Sequence, residues 1–309
     1  SVLPVDPALP AIGVEPSLER LLALRFPARQ LDIRRRRRAL TQLAGGQRSN
    51  FRGRGLEFEE VRGYQPGDDI RAIDWRVTAR TGEAHTKLFH EERERPVLLV
   101  IDQRSAMRFG SRHCFKNVLA AELGALLAWS ALDSNERVGA LIIRDDGHRE
   151  LRPRNSRRAV LGLLSALCET PATSAADGMA FEDALRTARR IARTGSTVFL
   201  LSDFHDATPA PAREQLFQLA RHTEITALQC SDPLEATLPP PGIYAVTDGH
   251  ERCELDTGRT ALQEEHRRAV TEQHDALQSM FQQLAIPCIE ASTGDAPLEL
   301  LNRYFGASG

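Results

Sequence analysis

Two apolar runs in this chain end in aspartate: "VLLVID", closing on Asp102, and "VFLLSDFHD", which carries Ser202-Asp203 with His205 and Asp206 just beyond. Carboxylates set at the ends of buried strands are the hard oxygen donors that Mg²⁺ prefers. Asp102, Asp203 and Asp206 therefore outline one candidate chemistry, a metal-dependent enzyme or a metal-gated binder. A second constellation is "GDDIRAIDWRVTAR" (67–80), where Asp68, Asp69, Arg71, Asp74, Arg76 and Arg80 crowd around Ile70, Ile73, Trp75 and Val77. Unpaired charge is costly to bury, whereas paired and hydrogen-bonded charge can fix one geometry. These acids, with Arg62, Arg71, Arg76 and Arg80, are expected to interlock around Trp75 as anchor, either as pure architecture or as a recognition surface for a partner.

Other motifs carry less. "GRGLEF" begins like a dinucleotide loop, but Phe58 stands at the third glycine position and the stretch precedes a buried strand instead of following one. The sequence has no Walker lysine loop, no H-E-x-x-H and no G-x-S-x-G. His85 and His90 do not fall on one strand face, and His113-Cys114 is an isolated pair, so structural or surface roles are expected for both. Asp145-Asp146 precedes Gly147 as a hairpin turn would. Cys114, Cys168, Cys230, Cys253 and Cys288 are scattered without a C-x-x-C, which argues against a zinc site and fits a reducing compartment. Arg34 to Arg38 invite a nucleic-acid or acidic-lipid reading, but no aromatic residues interleave them and a solvated helical face is the expected role.

The elements that must position these residues follow from length and period. At 309 residues with 27% charged residues and a formal net charge of −2, the chain can bury a large core and is not globally attracted to nucleic acid. No signal-peptide pattern opens it, and the apolar stretch Val118 to Leu132, interrupted by Glu122, Trp129 and Ser130, is too short for a bilayer of about 30 Å. A cytoplasmic location is expected. Residues 1–52 read as an irregular proline-rich arm followed by a basic helical segment. Residues 53–94 read as a small β subdomain, with "WRVTARTGEAHTKLFHEE" forming a hairpin that turns near Thr81-Gly82. From 95 to 309, the continuous apolar run Val97 to Ile101 and the mainly apolar strands Val138 to Ile143, Val198 to Leu201, Ile225 to Cys230 and Ile286 to Ile289 alternate with amphipathic helices. That texture predicts an α/β fold with a mostly parallel sheet flanked by helices, with ligands beyond the carboxyl ends of its strands.

"RGRGLEFEEVRGYQPGDDIRAIDWRVTARTG", followed by "KLFHEERERPVLLVIDQRSAMRFGS", resembles the signature of the domain of unknown function 58 family. These are bacterial proteins with a von Willebrand factor A-like domain, often encoded beside MoxR-type AAA+ ATPases. The resemblance implies a von Willebrand A-like (Rossmann-type) fold with strand order 3-2-1-4-5-6. It further implies a non-catalytic adaptor that partners a MoxR-type AAA+ ATPase in acting on or assembling a client protein. The fold commonly carries a metal-ion-dependent adhesion site with D-x-S-x-S after the first strand, a loop threonine and a later aspartate. Here Asp102 and Asp203 match, but Arg104 and Ala106 replace the two serines and Met179 stands in place of the threonine. Arg104 is expected to repel a cation and to pair with the two carboxylates itself, leaving a degenerate, metal-free site with no cofactor. Ser105, one residue out of register, would supply a ligand only if the loop slipped.

Overall fold

The computed structural model describes residues 6, 8–33, 61–63, 73, 75–83, 85–87, 95–169, 178–247 and 252–306. The chain forms two units, Ser1–Gln47 joined with Arg95–Gly309, and Arg48–Glu94. The first unit begins with helix α1 (Leu18–Ala23), whose N-terminus is capped by Ser17. Pro27 then converts the chain to a single 3₁₀ turn, Pro27–Gln30.

In the second unit, strand β1 (Val61–Gly63) pairs antiparallel with β2 (His85–Lys87), and between them lies helix α2 (Trp75–Thr81). The hairpin expected with its turn at Thr81-Gly82 is therefore corrected. Gly82, at φ 77°, donates its N–H to the Thr78 carbonyl and so caps the end of a helix. A short run with apolar residues at positions 75 and 77 cannot by itself distinguish a strand from two turns of helix.

The larger unit continues through β3 (Val97–Asp102), α3 (Lys116–Asp133), β4 (Val138–Arg144), β5 (Gly147–Arg154), α4 (Arg157–Leu167) and α5 (Phe181–Ile191). It proceeds with β6 (Thr197–Ser202), α6 (Ala210–Ala220), β7 (Glu224–Ser231), α7 (Pro233–Ala236) and a hairpin of β8 (Ile243–Thr247) and β9 (Arg252–Asp256). It ends with α8 (Thr260–Gln283), β10 (Cys288–Ser292) and α9 (Pro297–Phe305). The central sheet has the order β10-β7-β6-β3-β4-β5, which, numbering its six strands along the chain, is the expected 3-2-1-4-5-6. Every neighbour is parallel except the β4–β5 hairpin, which turns at Gly147 with φ 133°. The β8–β9 hairpin between β7 and β10 was not legible as a separate element. Winding reverses between β3 and β6, so a crevice opens above their carboxyl ends.

Helix α3 shows why the N-terminal segment is no loose arm. From Lys116 to Ala131 every residue of the helix is buried, which a helix resting on one sheet face cannot achieve alone. Ala11, Leu21, Leu24, Ala28, Leu31 and Ile33 cover its outer side as part of the same hydrophobic cluster. The three polar interruptions in the apolar stretch each find a partner in this cover. Arg20 forms an ion pair with the buried Glu122. Trp129 Nε1 donates to the Leu21 carbonyl at 3.1 Å, and Ser130 Oγ to the Leu31 carbonyl at 3.2 Å. Burial pushes the Glu122 carboxyl upward, and Arg20 opposes that shift. The separation of residues 1–52 from the α/β domain is thereby corrected for the described part, while Arg34 to Arg38 lie outside the described residues. Among the described residues no helix is long and apolar enough to cross a membrane.

Removing one partner of a buried ion pair leaves an uncompensated charge. Arg20→Ala should accordingly lower the unfolding free energy by on the order of 3 kcal/mol, measured by urea denaturation. Adding Glu122→Gln should restore part of that loss; a near-zero effect of the single change would show that residues 11–33 do not belong to the core.

Candidate functional site

Buried β3 delivers Asp102, which is fully inaccessible, to the crevice floor, and the chain turns at once into a 3₁₀ turn, Ser105–Met107. Between strand and turn stands Arg104, 5% exposed. Its Nε donates to Asp102 Oδ1 at 3.0 Å and its Nη2 to Asp102 Oδ2 at 2.7 Å. On the other side Nη1 and Nη2 donate to Asp206 Oδ2 and Oδ1 at 2.7 and 2.9 Å. The remaining Nη1 hydrogen goes to the Met179 carbonyl at 3.0 Å. All five N–H groups of the guanidinium are thus engaged.

Both carboxylates are also occupied from elsewhere. Asp102 Oδ1 accepts the Arg104 backbone N–H at 3.1 Å, and Asp102 Oδ2 accepts the Ser202 hydroxyl at 2.7 Å. Asp206 Oδ2 accepts the Phe181 backbone N–H at the start of α5, at 2.9 Å. Burial alone would lower the Arg104 pKa, but its hydrogen bonds to Asp102 and Asp206 and their negative charges outweigh it and hold the group above its usual range. Asp206 is raised by burial and lowered more strongly by Arg104 and the Phe181 N–H, for a net depression.

The expected pairing of Arg104 with Asp102 and Asp203 is corrected to Asp102 and Asp206. The turn after β6 explains the exchange. Phe204 adopts φ 57° and is buried, edge-on to Phe181 and Phe281 with ring centroids 5.5 and 5.1 Å away. Asp203 precedes that anchor and faces Lys116, whereas Asp206 follows it and comes back to Arg104.

Asp203 thereby joins a second cluster that the sequence did not reveal. Lys116, the first residue of α3 and only 2% exposed, donates to Asp203 Oδ2 at 2.9 Å and to Glu235 of α7. His205 Nδ1 lies 2.8 Å from Asp203 Oδ1, and its Nε2 lies 3.7 Å from Asp206 Oδ1. Burial would raise Asp203, yet His205 and Lys116 drive its carboxyl well below the usual carboxylate range. Burial would lower Lys116, but the charges of Asp203 and Glu235 raise it. The Asp203 hydrogen bond is the largest influence on His205, raising it against desolvation. The Lys116 partnership had no signal beyond a lysine opening an otherwise apolar helix.

The other expected site residues are placed as follows. Ser105 is exposed, and Asp145 accepts both its N–H, at 2.9 Å, and its hydroxyl, at 3.1 Å. Asp145 thus holds the 3₁₀ turn as well as opening its own hairpin. Ala106 is exposed and Met179 half-buried, and Met179 contributes through its backbone. In the charged motif, Asp68, Asp69, Arg71 and Asp74, and the side chains of Arg62 and Arg76, lie outside the described residues, as does His90. Trp75, expected as the anchor of either an architectural network or a recognition surface, is 67% exposed at the start of α2, and Arg80 is exposed too. Among the described residues no group of three or more His, Cys, Asp or Glu side chains converges in a way that could hold a metal ion.

A mostly parallel sheet of order 3-2-1-4-5-6, with its buried charges in the crevice beside the first strand, is a Rossmann-type α/β fold of the von Willebrand factor A-like kind. The family model described as "Protein of unknown function DUF58" matches residues 60–276, and the chain belongs to that family. The protein Rv1480 of Mycobacterium tuberculosis is 33% identical over 199 residues, covering 63% of this chain and 61% of the relative, so the chain matches about three-fifths of that protein's length. The protein YeaD of Bacillus subtilis is 41% identical over 49 residues, 16% of this chain and 12% of YeaD. Among solved structures, BatB of Bacteroides thetaiotaomicron is 15% identical with TM-score 0.37, covering 62% of this chain and 98% of BatB. The von Willebrand A domain of SpRpn10 is 14% identical with TM-score 0.37, covering 68% and 94%. The strand order, not these distant likenesses, establishes the fold.

Arg104→Ala should reduce stability by about 3–5 kcal/mol at neutral pH, because Asp102 is left buried without its countercharge. Arg104→Ala combined with Asp102→Asn should cost clearly less than the sum of the single changes in urea unfolding, and strict additivity would refute the coupling. The pH dependence has a defined shape. Asp203 and Asp206 have depressed folded-state pKa values, so their contribution is present above the ordinary aspartate range and lost as pH falls through the folded values. His205 is raised, so its contribution is complete below the ordinary imidazole value and lost as pH rises through the folded one. Unfolding midpoints should peak between those ranges, with Asp206→Asn weakening the acid limb and His205→Gln the alkaline limb.

Proposed function

We propose that this protein is a non-catalytic, metal-independent protein-binding platform of von Willebrand A type. The observation that carries the reading is the Arg104 guanidinium lodged between Asp102 and Asp206, every N–H satisfied and both carboxylates filled. A divalent ion needs about six oxygens close by. To obtain even two from these aspartates it would have to expel a buried, bidentate cation and then share the crevice with it. The donor set does not fit the metal.

Enzymatic chemistry finds no support in the same crevice. The Ser202 hydroxyl is buried and donates to Asp102, and His205 is committed to Asp203, so no nucleophile and base stand within reach of each other. What the geometry offers is a stiff, fully paired sheet end bordered by exposed turn residues such as Ser105 and Ala106. Family resemblance adds the partner class: a MoxR-type AAA+ ATPase, with this chain presenting or activating a client protein.

Two measurements test the reading. Calorimetric titration with Mg²⁺ and with Mn²⁺ should give no saturable binding at millimolar concentrations, and tight binding abolished by Asp102→Ala would overturn metal independence. Affinity capture from the native cell, with and without ATP, should retain an AAA+ ATPase in a nucleotide-dependent manner. Recovery of nucleic acid with a steep salt dependence would favour a binder of that class instead.

A further inference from the structure

The edge of the sheet farthest from β10 carries a feature with no part in the crevice. The pairing of β5 with β4 slips between Val138 and Ala140, so Arg152 and Pro153 bulge across Gly139. A Cβ on Gly139 would lie 2.7 Å from the Leu151 carbonyl oxygen and equally close to Pro153, so the bulge needs glycine there. Between this bulge and the first turns of α4 remains an open cleft of about 350 Å³. Val138, Leu151, Ala159 and Leu163 line its floor, Arg152 and Arg154 stand at its mouth, and Glu150, its charge met by Arg190, also lines it.

The charges around the cleft are unbalanced. On the same strand Arg149 is paired with Glu169, and Glu150 with Arg190. Arg152, Arg154, Arg157 and Arg158 are all exposed, and among the described residues none forms an ion pair with an acid. Four guanidinium groups within seven residues repel one another and attract an anionic partner.

We infer that this cleft docks an acidic segment of a partner protein that carries an aliphatic side chain between its carboxylates. The aliphatic residue fills the cleft, and the carboxylates meet Arg152 and Arg154, for which the guanidinium fork is well suited. Strand addition to the sheet edge is the wrong mode, because the bulge and Pro153, which lacks an N–H, interrupt the ladder that an added strand requires. Single-stranded nucleic acid is disfavoured because the floor is aliphatic and offers no ring on which a base can stack. The inference rests on the protein-binding reading above and assigns it a surface distinct from the sheet-top crevice.

The test is fluorescence anisotropy of the full chain with three short labelled probes: a peptide alternating acidic and aliphatic residues, a polyglutamate peptide, and single-stranded DNA. The mixed peptide should bind best. Arg152→Glu combined with Arg154→Glu should weaken it roughly tenfold or more. Ala159→Leu, which fills the cleft without touching charge, should weaken the mixed peptide and leave the polyglutamate probe unchanged. Circular dichroism should confirm that both variants are folded. No binding of the mixed peptide, equal binding of DNA, or indifference to Ala159→Leu would each overturn the proposal. If the unmodified chain binds no mixed peptide yet still retains the ATPase in capture experiments, this surface is wrong and the platform reading stands.

Discussion

The crevice depends on one requirement: a carboxylate with no exposure to water, Asp102 at the end of β3, must be met by positive charge. In this fold a metal ion can meet it, but an ion is a free solute whose occupancy follows its concentration. Arg104 meets it from two residues away along the same chain. The exchange has structural consequences. The guanidinium is planar and forked, so its second edge needs a second carboxylate in the same plane, and Asp206 supplies one across the crevice. Asp206 can do so only because the turn at Phe204 brings it back after Asp203 has passed to Lys116.

The same rule operates at each place where polarity enters the core. Glu122 inside α3 is met by Arg20, and Lys116 at the head of that helix by Asp203 and Glu235. Glu235 in turn accepts the Asp232 N–H to complete the cap of α7, and the His266 ring of α8 contacts its carbonyl oxygen. The paired charges therefore join elements distant in sequence: the N-terminal segment to α3, α3 to the turn after β6, and that turn to the region around α7. Ion pairs of this kind contribute little net stability compared with well-packed apolar residues, but breaking one is severe, so they favour one arrangement over near alternatives.

The parallel strands of the sheet were largely legible in the sequence because they are mainly apolar runs of four to six residues separated by helical periods, whereas the polar edge strand β5 was marked only by the turn at Asp145-Asp146-Gly147. Val97 to Ile101 and Val198 to Leu201 could scarcely be anything but buried strands, and the substitution of Arg104 in a metal-site pattern was visible from residue types alone. What escaped were partnerships set by the path of the chain in three dimensions. Asp203 and Asp206 are equivalent in composition, and only the left-handed turn at the buried Phe204 decides which of them faces Arg104. The role of residues 11–33 escaped because that segment is short, proline-broken and basic on its outside, so its inward residues form no clean period. Trp75 opens a helix and is exposed, and the charged residues expected around it lie outside the described residues.

A crevice closed by its own arginine also constrains how such a platform could be controlled. Metal-gated domains can change affinity when an ion's coordination shifts, because the ion can move between carboxylates at modest cost. Here the cation is covalently attached, and moving it would expose Asp102, Asp206 and the Met179 carbonyl at once, with three hydrogen-bonding partners lost together. A ligand can shift such an equilibrium only by its differential affinity for the two states, and few small molecules could offset that loss. A platform so fixed would leave recognition to surfaces outside the crevice. The unpaired arginines of β5 and α4 are such a surface: they lie at the far edge of the same rigid sheet, where binding does not require any buried pair to open.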